Sequence, residues 1–552
     1  MLGRVLVANV AIALALARAG AAQPAALEVI AASGLPAPGT PAGALFASLS
    51  RPVLNEAGEV AFRATLQLGA GGVTSSNDQG IWVRERSGPV ALRARTGAPA
   101  PGAPGGGDYT LLASAVRLDA HGRLAFEANI QVTGSGVAVF GPSGGTDLTL
   151  LASGSSAWGS APGVPGSRFE SFERPSLNAA GDVVFVADMV AGVGGVTGAD
   201  DGGVWGALGG APLALLFREG SLAPAAAGGA HWVSWRPPSL NESGQLAFWS
   251  FLDGPGVTLA NAQTLWGPGP GGPLSLLART AVIEPPGVNP GETPVDLGAP
   301  SLDDEGAIAF SGSVGLLPPG SGAETVSFAA DGAGGFALLT REGAQAPGLA
   351  PGILLAFAAA PRIDAVGEVA FVASLAVGSG GVTFADNAAV YGPAADGSIA
   401  LLARKGAQAG DLPPGVLYGS VERVDLGSQG DAAFVAGLTG AVTSADDQAL
   451  FLAPRGGTPV AVLRKGQAIE VAPGDVRTLA AIEVGGADTD ARDLLVNAKR
   501  QVAAIGVFTD ASRAVLVAGL EPAAEVPGAA APAALLLATL LLASGAARLA
   551  RR

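Results

Sequence analysis

Paired acidic and amide side chains recur at four places in this chain, each behind a Val-Thr step: Asn77 and Asp78, Asp200 and Asp201, Asp386 and Asn387, Asp446 and Asp447. In all four, an aromatic residue stands eight positions after the Thr; Val257-Thr258 with Asn261 is a weaker copy. Hard oxygen donors on a tight loop suit Ca²⁺, so these eight residues are candidate metal ligands. Each loop brings only two such side chains plus carbonyls, and the competing reading is a turn capped through its own N–H groups. A second chemistry is stacking against a sugar ring. Trp232, Trp235 and Trp249 cluster in one segment and are its candidates, whereas Trp82, Trp205 and Trp266 recur in register and read as packing. Arginines recur as well, at Arg95, Arg218, Arg279, Arg341, Arg404 and Arg464, as guards of a strand edge or partners of nearby acids. Glu127, Glu173 and Asp188 could meet in a folded chain, but no spacing fixes a glycosidase-like carboxylate pair, and no catalytic residue is assigned.

The elements that must position these groups follow from one repeated phrase, Leu54-Asn55-Glu56-Ala57-Gly58-Glu59-Val60-Ala61-Phe62. It returns at Asp119 with Gly122, Asn178 with Gly181, Asn241 with Gly244, Asp303 with Gly306 and Asp364 with Gly367. At Asp425 and Gly430 it carries two extra residues, and a decayed eighth copy fits at 487–496. The phrase spells a β-hairpin. Asn or Asp opens a tight turn, Gly takes the left-handed conformation, and the alternating apolar residues form the return strand. Around each turn lie four strand-like pieces: one entering it, the Val-Ala-Phe strand, one ending on an aromatic, and one like Leu401-Leu402-Ala403-Arg404.

A period of about sixty residues built from four antiparallel strands suits a propeller blade, whose oily faces are covered only by neighbours. The expectation is an all-β propeller of eight blades, with seven as the alternative count. A β-solenoid competes, but usually repeats at shorter intervals. Two stretches, 27–34 and 514–519, look like fourth strands. One has no blade before it and could pair with the last blade to fasten the ring.

Composition narrows the function classes. With 49% hydrophobic residues the chain can bury a core despite 84 Gly and 40 Pro. A net charge of −15 excludes the basic surface that nucleic acid requires. No Cys is present, so disulfides, thiolate nucleophiles and zinc–thiolate sites are excluded together, and there are 2 His.

Residues 1–22 read as a secretory signal, with Arg4 ahead of an apolar run and small residues at Ala19-Gly20-Ala21. The repeat domain occupies 27–520, and 521–528 is a linker. The apolar run 529–547 is long enough for a transmembrane anchor, with a basic cytoplasmic tail at 548–552.

The Asn-x-x-Gly-x-x-Ala-Phe phrase, between a signal peptide and an apolar-then-basic tail, resembles the bacterial choice-of-anchor tandem-repeat proteins named for that NxxGxxAF motif. The tail is similar to a PEP-CTERM sorting signal, with Val526-Pro527-Gly528-Ala529 where Val-Pro-Glu-Pro is usual. The resemblance implies an exported, envelope- or surface-associated protein, held by its C-terminal helix and met by a sorting enzyme, and implies no reaction. The leading expectation is a binding or scaffold module for extracellular polysaccharide or envelope protein. A polysaccharide hydrolase or lyase with its site in the central funnel, and a Ca²⁺-stiffened structural module, are the other classes; no cofactor besides Ca²⁺ is expected.

Overall fold

The computed structural model describes residues 23–24 and 27–521, apart from 87, 133, 155–159, 270–272, 317–321, 331–334, 360 and 486–495. The segments read as a signal (1–22), an anchor (529–547) and a tail (548–552), with nearly all of the stretch read as a linker, lie outside the described residues. Among those described, no helix is long and apolar enough to cross a membrane. The chain divides into two units. One takes 1–26 with 520–552, where Gln23 and Pro24 pair with Glu521 and Leu520; the other, 27–519, is the repeat domain.

Within 27–519 the strands gather into eight antiparallel sheets, so the domain is an all-β propeller of eight blades. Blade 1 shows the plan. Its inner strand is Phe46–Leu49 continued by Val53–Leu54, followed by Val60–Leu66, Gln79–Arg84 and the outer strand Val90–Arg95. Blades 2 to 7 begin at Asp108–Leu118, Phe169–Leu177, His231–Trp235, Glu292–Leu297, Leu355–Ala358 and Val416–Leu426. Blade 8 begins at Asp475–Glu483. Proline explains why several inner strands break. Pro52, Pro175, Pro238, Pro300 and Pro361 have no N–H for the ladder, and pairing resumes only beyond them.

In blades 1 to 7 the Phe of the repeat faces the third-strand aromatic across the sheet, Phe62 opposite Trp82 and Phe185 opposite Trp205, whereas in blade 8 Ala504 faces Leu516. Rings stack in Phe62–Trp82, Phe126–Phe140, Phe248–Trp266, Phe371–Tyr391 and Phe434–Phe451. Such pairs add about 0.5–1.5 kcal/mol beyond their burial. Each aromatic cluster leans on small side chains of the blade before it: Tyr109, Phe126 and Phe140 on Ala61, Ile81 and Val83, and Phe169, Phe185 and Trp205 on Ala125 and Val139. A bulge between third and outer strands recurs at this aromatic, as at Ile81/Trp82 and Val204/Trp205, and turns the ring into the seam.

The ring is fastened as expected. Glu28–Ala32 pairs antiparallel with Arg513–Glu521 and serves as the outer strand of blade 8. The stretch 514–519 is the third strand of that blade, which corrects its reading as a fourth. The eighth turn also moves. It opens at Asn497, whose N–H donates to Gln501 O, and Arg500 (φ 57°) occupies the glycine position. The copy placed at 487–496 lies outside the described residues save for Val496. In blade 7 the turn runs from Gly427 to Gly430, so there are no extra residues; glycine stands where the other repeats have Asn or Asp.

Candidate functional site

Because consecutive strands alternate in direction, the eight turns, seven opened by Asn or Asp and one by Gly427, share one face of the ring, and the loops joining second to third strands share the other. Seven of the turns line an axial cavity of about 250 Å³ that includes Asn55, Glu56, Asp119, Glu242, Asp303, Asp304 and Asp364. In blade 1, Asn55 Oδ1 accepts from Glu59 N (2.8 Å), while its Nδ2 donates to Glu59 Oε2 (2.7 Å) and to Asp119 O of blade 2 (2.7 Å). Asn178 reaches Asn241 O (2.9 Å), Asn241 reaches Asp303 O (3.0 Å), and Asn497 reaches Asn55 O (3.2 Å), closing blade 8 onto blade 1. The carboxylates around the axis take part as well. Glu56 Oε2 accepts from Ala498 N and Glu242 Oε2 from Ala179 N, both at 2.6 Å. Gly58 is required twice over: its φ is +83°, and an added Cβ would sit 2.9 Å from Gln501 Oε1 of blade 8. Gly122, Gly181, Gly244, Gly306 and Gly367 likewise have positive φ. These turn residues therefore build the seams between blades.

Where Asp replaces Asn the amide donor is lost, and the seams adapt. Beside Asp119, Arg123 bonds Oδ2 through Nε (2.6 Å) and donates from Nη2 to Ala179 O of blade 3 (2.6 Å). Asp303 and Asp364 have no such arginine, and burial raises both carboxyls, Asp364 to about 6.

The eight candidate metal ligands lie on the opposite face, in the loops between second and third strands. Asp386 Oδ1 accepts from Thr383 N (2.7 Å) and Thr383 Oγ1 (2.9 Å), while Oδ2 takes Arg404 Nη2 (2.6 Å). Asp200 with Arg218 and Asp446 with Arg464 repeat the arrangement. Bonds from Thr N–H, and then from its hydroxyl, hold all three carboxyls below the usual range. Asn77 Oδ1 caps Thr74 N (2.9 Å), and Asn387 O accepts from Leu375 N (2.8 Å). Asp78 stands near Arg63, Asp447 pairs with Lys465 (2.8 Å), and Asp201 faces Glu219. Among the described residues no group of three or more His, Cys, Asp or Glu is arranged to hold a metal ion. The recurring arginine turns out to be the clasp of these loops: Arg95, Arg218, Arg279, Arg404 and Arg464 each donate Nε to the loop carbonyl of residue 77, 200, 261, 386 or 446.

The tryptophan reading is corrected. Trp232 and Trp235 are 3% and 7% exposed and pack with Phe248 and Trp266 inside blade 4, so neither offers a face to a sugar. Trp249 is half-buried, its ring covered by Phe251 and the Arg236 guanidinium. Glu127, Glu173 and Asp188 do come together electrostatically, on blades 2 and 3. Glu127 lines a cavity of about 130 Å³ with Ser171 and Phe172. Burial pushes its carboxyl up to about 7, against the pull of Arg174.

Sequence reasoning missed the apolar loop face. Leu259, Phe384, Leu222, Leu316 and Leu68 are 93%, 76%, 70%, 65% and 60% exposed, Leu316 at the end of the strand Ile308–Leu316 and the others on loops and links opposite the turns. Their signal was weak, a lone apolar residue in each Gly-rich loop.

A family model described as DUF7453, a family of unknown function, matches residues 15–139, 135–283 and 283–527 in three successive copies. The chain belongs to this family. The copies meet within blade 2 and just after the outer strand of blade 4, so a copy of the DUF7453 model spans more than one blade. No curated protein matches the sequence. Solved structures similar to this DUF7453 chain include the Dos1 propeller, with 9% identity, TM-score 0.32, and coverage of 87% of this chain and 95% of that one. The periplasmic gluconolactonase PpgL of Pseudomonas aeruginosa shows 14% identity and TM-score 0.24, over 71% and 93% of the two chains. A GH43 β-1,3-galactosidase, BT3683, with galactodeoxynojirimycin shows 13% identity and TM-score 0.20, over 51% and 90%. At these scores the likenesses carry no functional argument, and the propeller assignment rests on the strand pairing itself.

Proposed function

We propose that this chain is an exported, envelope-associated propeller that works by binding, as a scaffold whose loop face docks a component of the cell envelope or extracellular matrix. One observation carries the reading: apolar side chains at Leu68, Leu222, Leu259, Leu316 and Phe384 stand well exposed on a single face. Apolar side chains that adjoin over a few hundred Å² of surface mark a site of interaction. Glu56 and Glu242 on the axis, by contrast, are engaged in holding blades together. Export and anchoring are supported by residues 1–22, by the apolar run 529–547 and by the resemblance to choice-of-anchor proteins. The partner proposed is an envelope protein or polysaccharide.

The second reading, a polysaccharide hydrolase or lyase, is favoured by Glu127, a half-buried acid with a raised proton affinity beside arginine. One experiment separates the two. The 23–520 fragment is assayed against a glycan array and against purified envelope fractions, beside the double variant Leu259→Ser, Phe384→Ser. The expected result is at least about tenfold weaker binding by the variant at an unchanged melting temperature, a loss of about 1.4 kcal/mol. Undiminished binding by the variant overturns the docking face. Release of sugar reducing ends by the wild type, lost in Glu127→Gln, installs the hydrolase instead.

A further inference from the structure

Four seams of the ring are stitched by an asparagine amide placed between two oxygens, one on the residue four positions later and one on the next blade. Asn55, Asn178, Asn241 and Asn497 donate to Glu59 Oε2, Asp182 Oδ2, Gln245 Oε1 and Gln501 Oε1, at 2.7–3.0 Å, and each also reaches a carbonyl of the following turn. In blade 6 the same two positions are Asp364 and Glu368. Oδ1 of Asp364 keeps the turn, accepting from Val366 N (3.0 Å) and Glu368 N (2.8 Å). Oδ2, which occupies the place of the amide, is buried and has no hydrogen-bond partner, and neither has Glu368 Oε2. Asp364 is 4% exposed and lines the axial cavity. Two ionised carboxylates cannot bond each other; one proton between them can restore the bond to the residue four positions on, the first of the amide's two donations.

We propose that Asp364 holds a proton on Oδ2 and shares it with Glu368, whose other oxygen is paired with Arg455 of blade 7, which makes the seam between blades 6 and 7 a latch that tightens on acidification and slackens when the proton leaves. Arg455 of blade 7 pairs with Glu368 Oε1, which leaves Oε2 as the oxygen that can accept from Asp364. Glu368 Oε2 lies against Gly430 of blade 7, so the pair straddles the seam. The charged surroundings are mostly acidic. Asp303 of blade 5 adds its repulsion to that of Glu368, and Glu305 stands beside Asp303. On blade 7, Asp425 is matched with Arg423 and Arg362, and Asp431 with Arg500. Burial is the main cause that lifts the Asp364 carboxyl to about 6, with the charges of Glu368 and Asp303 adding to it. The folded carboxyl thus binds its proton more tightly than the unfolded one, whose pKa is about 3.9. Its contribution to stability is complete below about 3.9 and is lost as pH rises through 6.

Asp364→Asn supplies the amide at every pH and provides the test, with Asp364→Ala as the variant that supplies no donor. Melting temperatures of the 23–520 fragment are compared from pH 4.5 to 8. Asp364→Asn is expected to melt about 2 °C above wild type at pH 8, with the gap closing by pH 5, while Asp364→Ala falls below wild type at pH 5. A pH-independent gap, or an Asp364→Asn variant less stable than wild type at pH 8, overturns the latch.

Discussion

Asn241 is wholly enclosed, and its side chain serves three masters: its own turn through Oδ1, Gln245 through Nδ2, and Asp303 O of the next blade. Asn241→Ala removes the groups and takes from Asp303 O and Gln245 N the bonds they make to Asn241 at the seam. The expected cost is about 2–3 kcal/mol, read as a fall in the denaturation midpoint, since each stranded polar group costs about 1–3 kcal/mol. Asn241→Asp should cost less at pH 5 than at pH 8, because only the protonated acid can still donate. At this scale the sequence is legible up to a point. Asn with Gly three residues on announces the turn, but Nδ2 crossing to the next blade depends on which turns become neighbours in the ring. The blade 8 turn was hidden for a related reason. Arg500 stands where glycine is expected and accepts a left-handed backbone, while its Nε bonds Asp431 Oδ2 of blade 7 (3.0 Å).

Among the elements, the loops between second and third strands are the ones whose chemistry was easiest to misread. An Asp beside a Thr and a second acid is what a cation would want, and it is equally what a turn wants. The deciding partner, an arginine eighteen residues later on the outer strand, was visible in the sequence as a separate repeat. The two patterns join only when third and outer strands pair with the recurrent bulge. These ion pairs are partly open to solvent, so they hold the loop more than the fold. Arg404→Ala is therefore expected to leave the global melting temperature within about 1 °C. It should speed amide hydrogen exchange in residues 376–387 several-fold, which mass spectrometry would resolve. An equal loss of protection throughout blade 6 would mean that the clasp supports the whole sheet.

For the molecule as a whole, repeat length, strand count and the unmatched strand at 27–34 were enough to anticipate eight blades and a fastened ring. The decisive physics is local: each aromatic face is bare until another blade covers it. Residues 1–22 and 529–547 remain readings of sequence. The fastening strand makes its own prediction. A chain that begins at Gly34 lacks the outer strand of blade 8, along with the Glu28–Arg84 ion pair (3.1 Å) and the bond from Ser33 N to Arg513 O (2.8 Å). It should melt several degrees lower and bind a synthetic Leu27–Ser33 peptide, with recovery of the lost stability as peptide is added. A truncated chain as stable as the parent, indifferent to the peptide, would show that the strand fastens nothing.

That borrowed strand also sets an order of events. It is among the first parts of the domain to leave the ribosome, yet the strand it pairs with is made last, nearly five hundred residues later. Seven sheets can assemble in succession while this early segment waits as an unmated edge, open to any other chain that offers a complementary border. Completion is thus a single terminal act that joins beginning to end, and a molecule interrupted anywhere before Leu516 is left with a gap that a second, equally unfinished copy could fill.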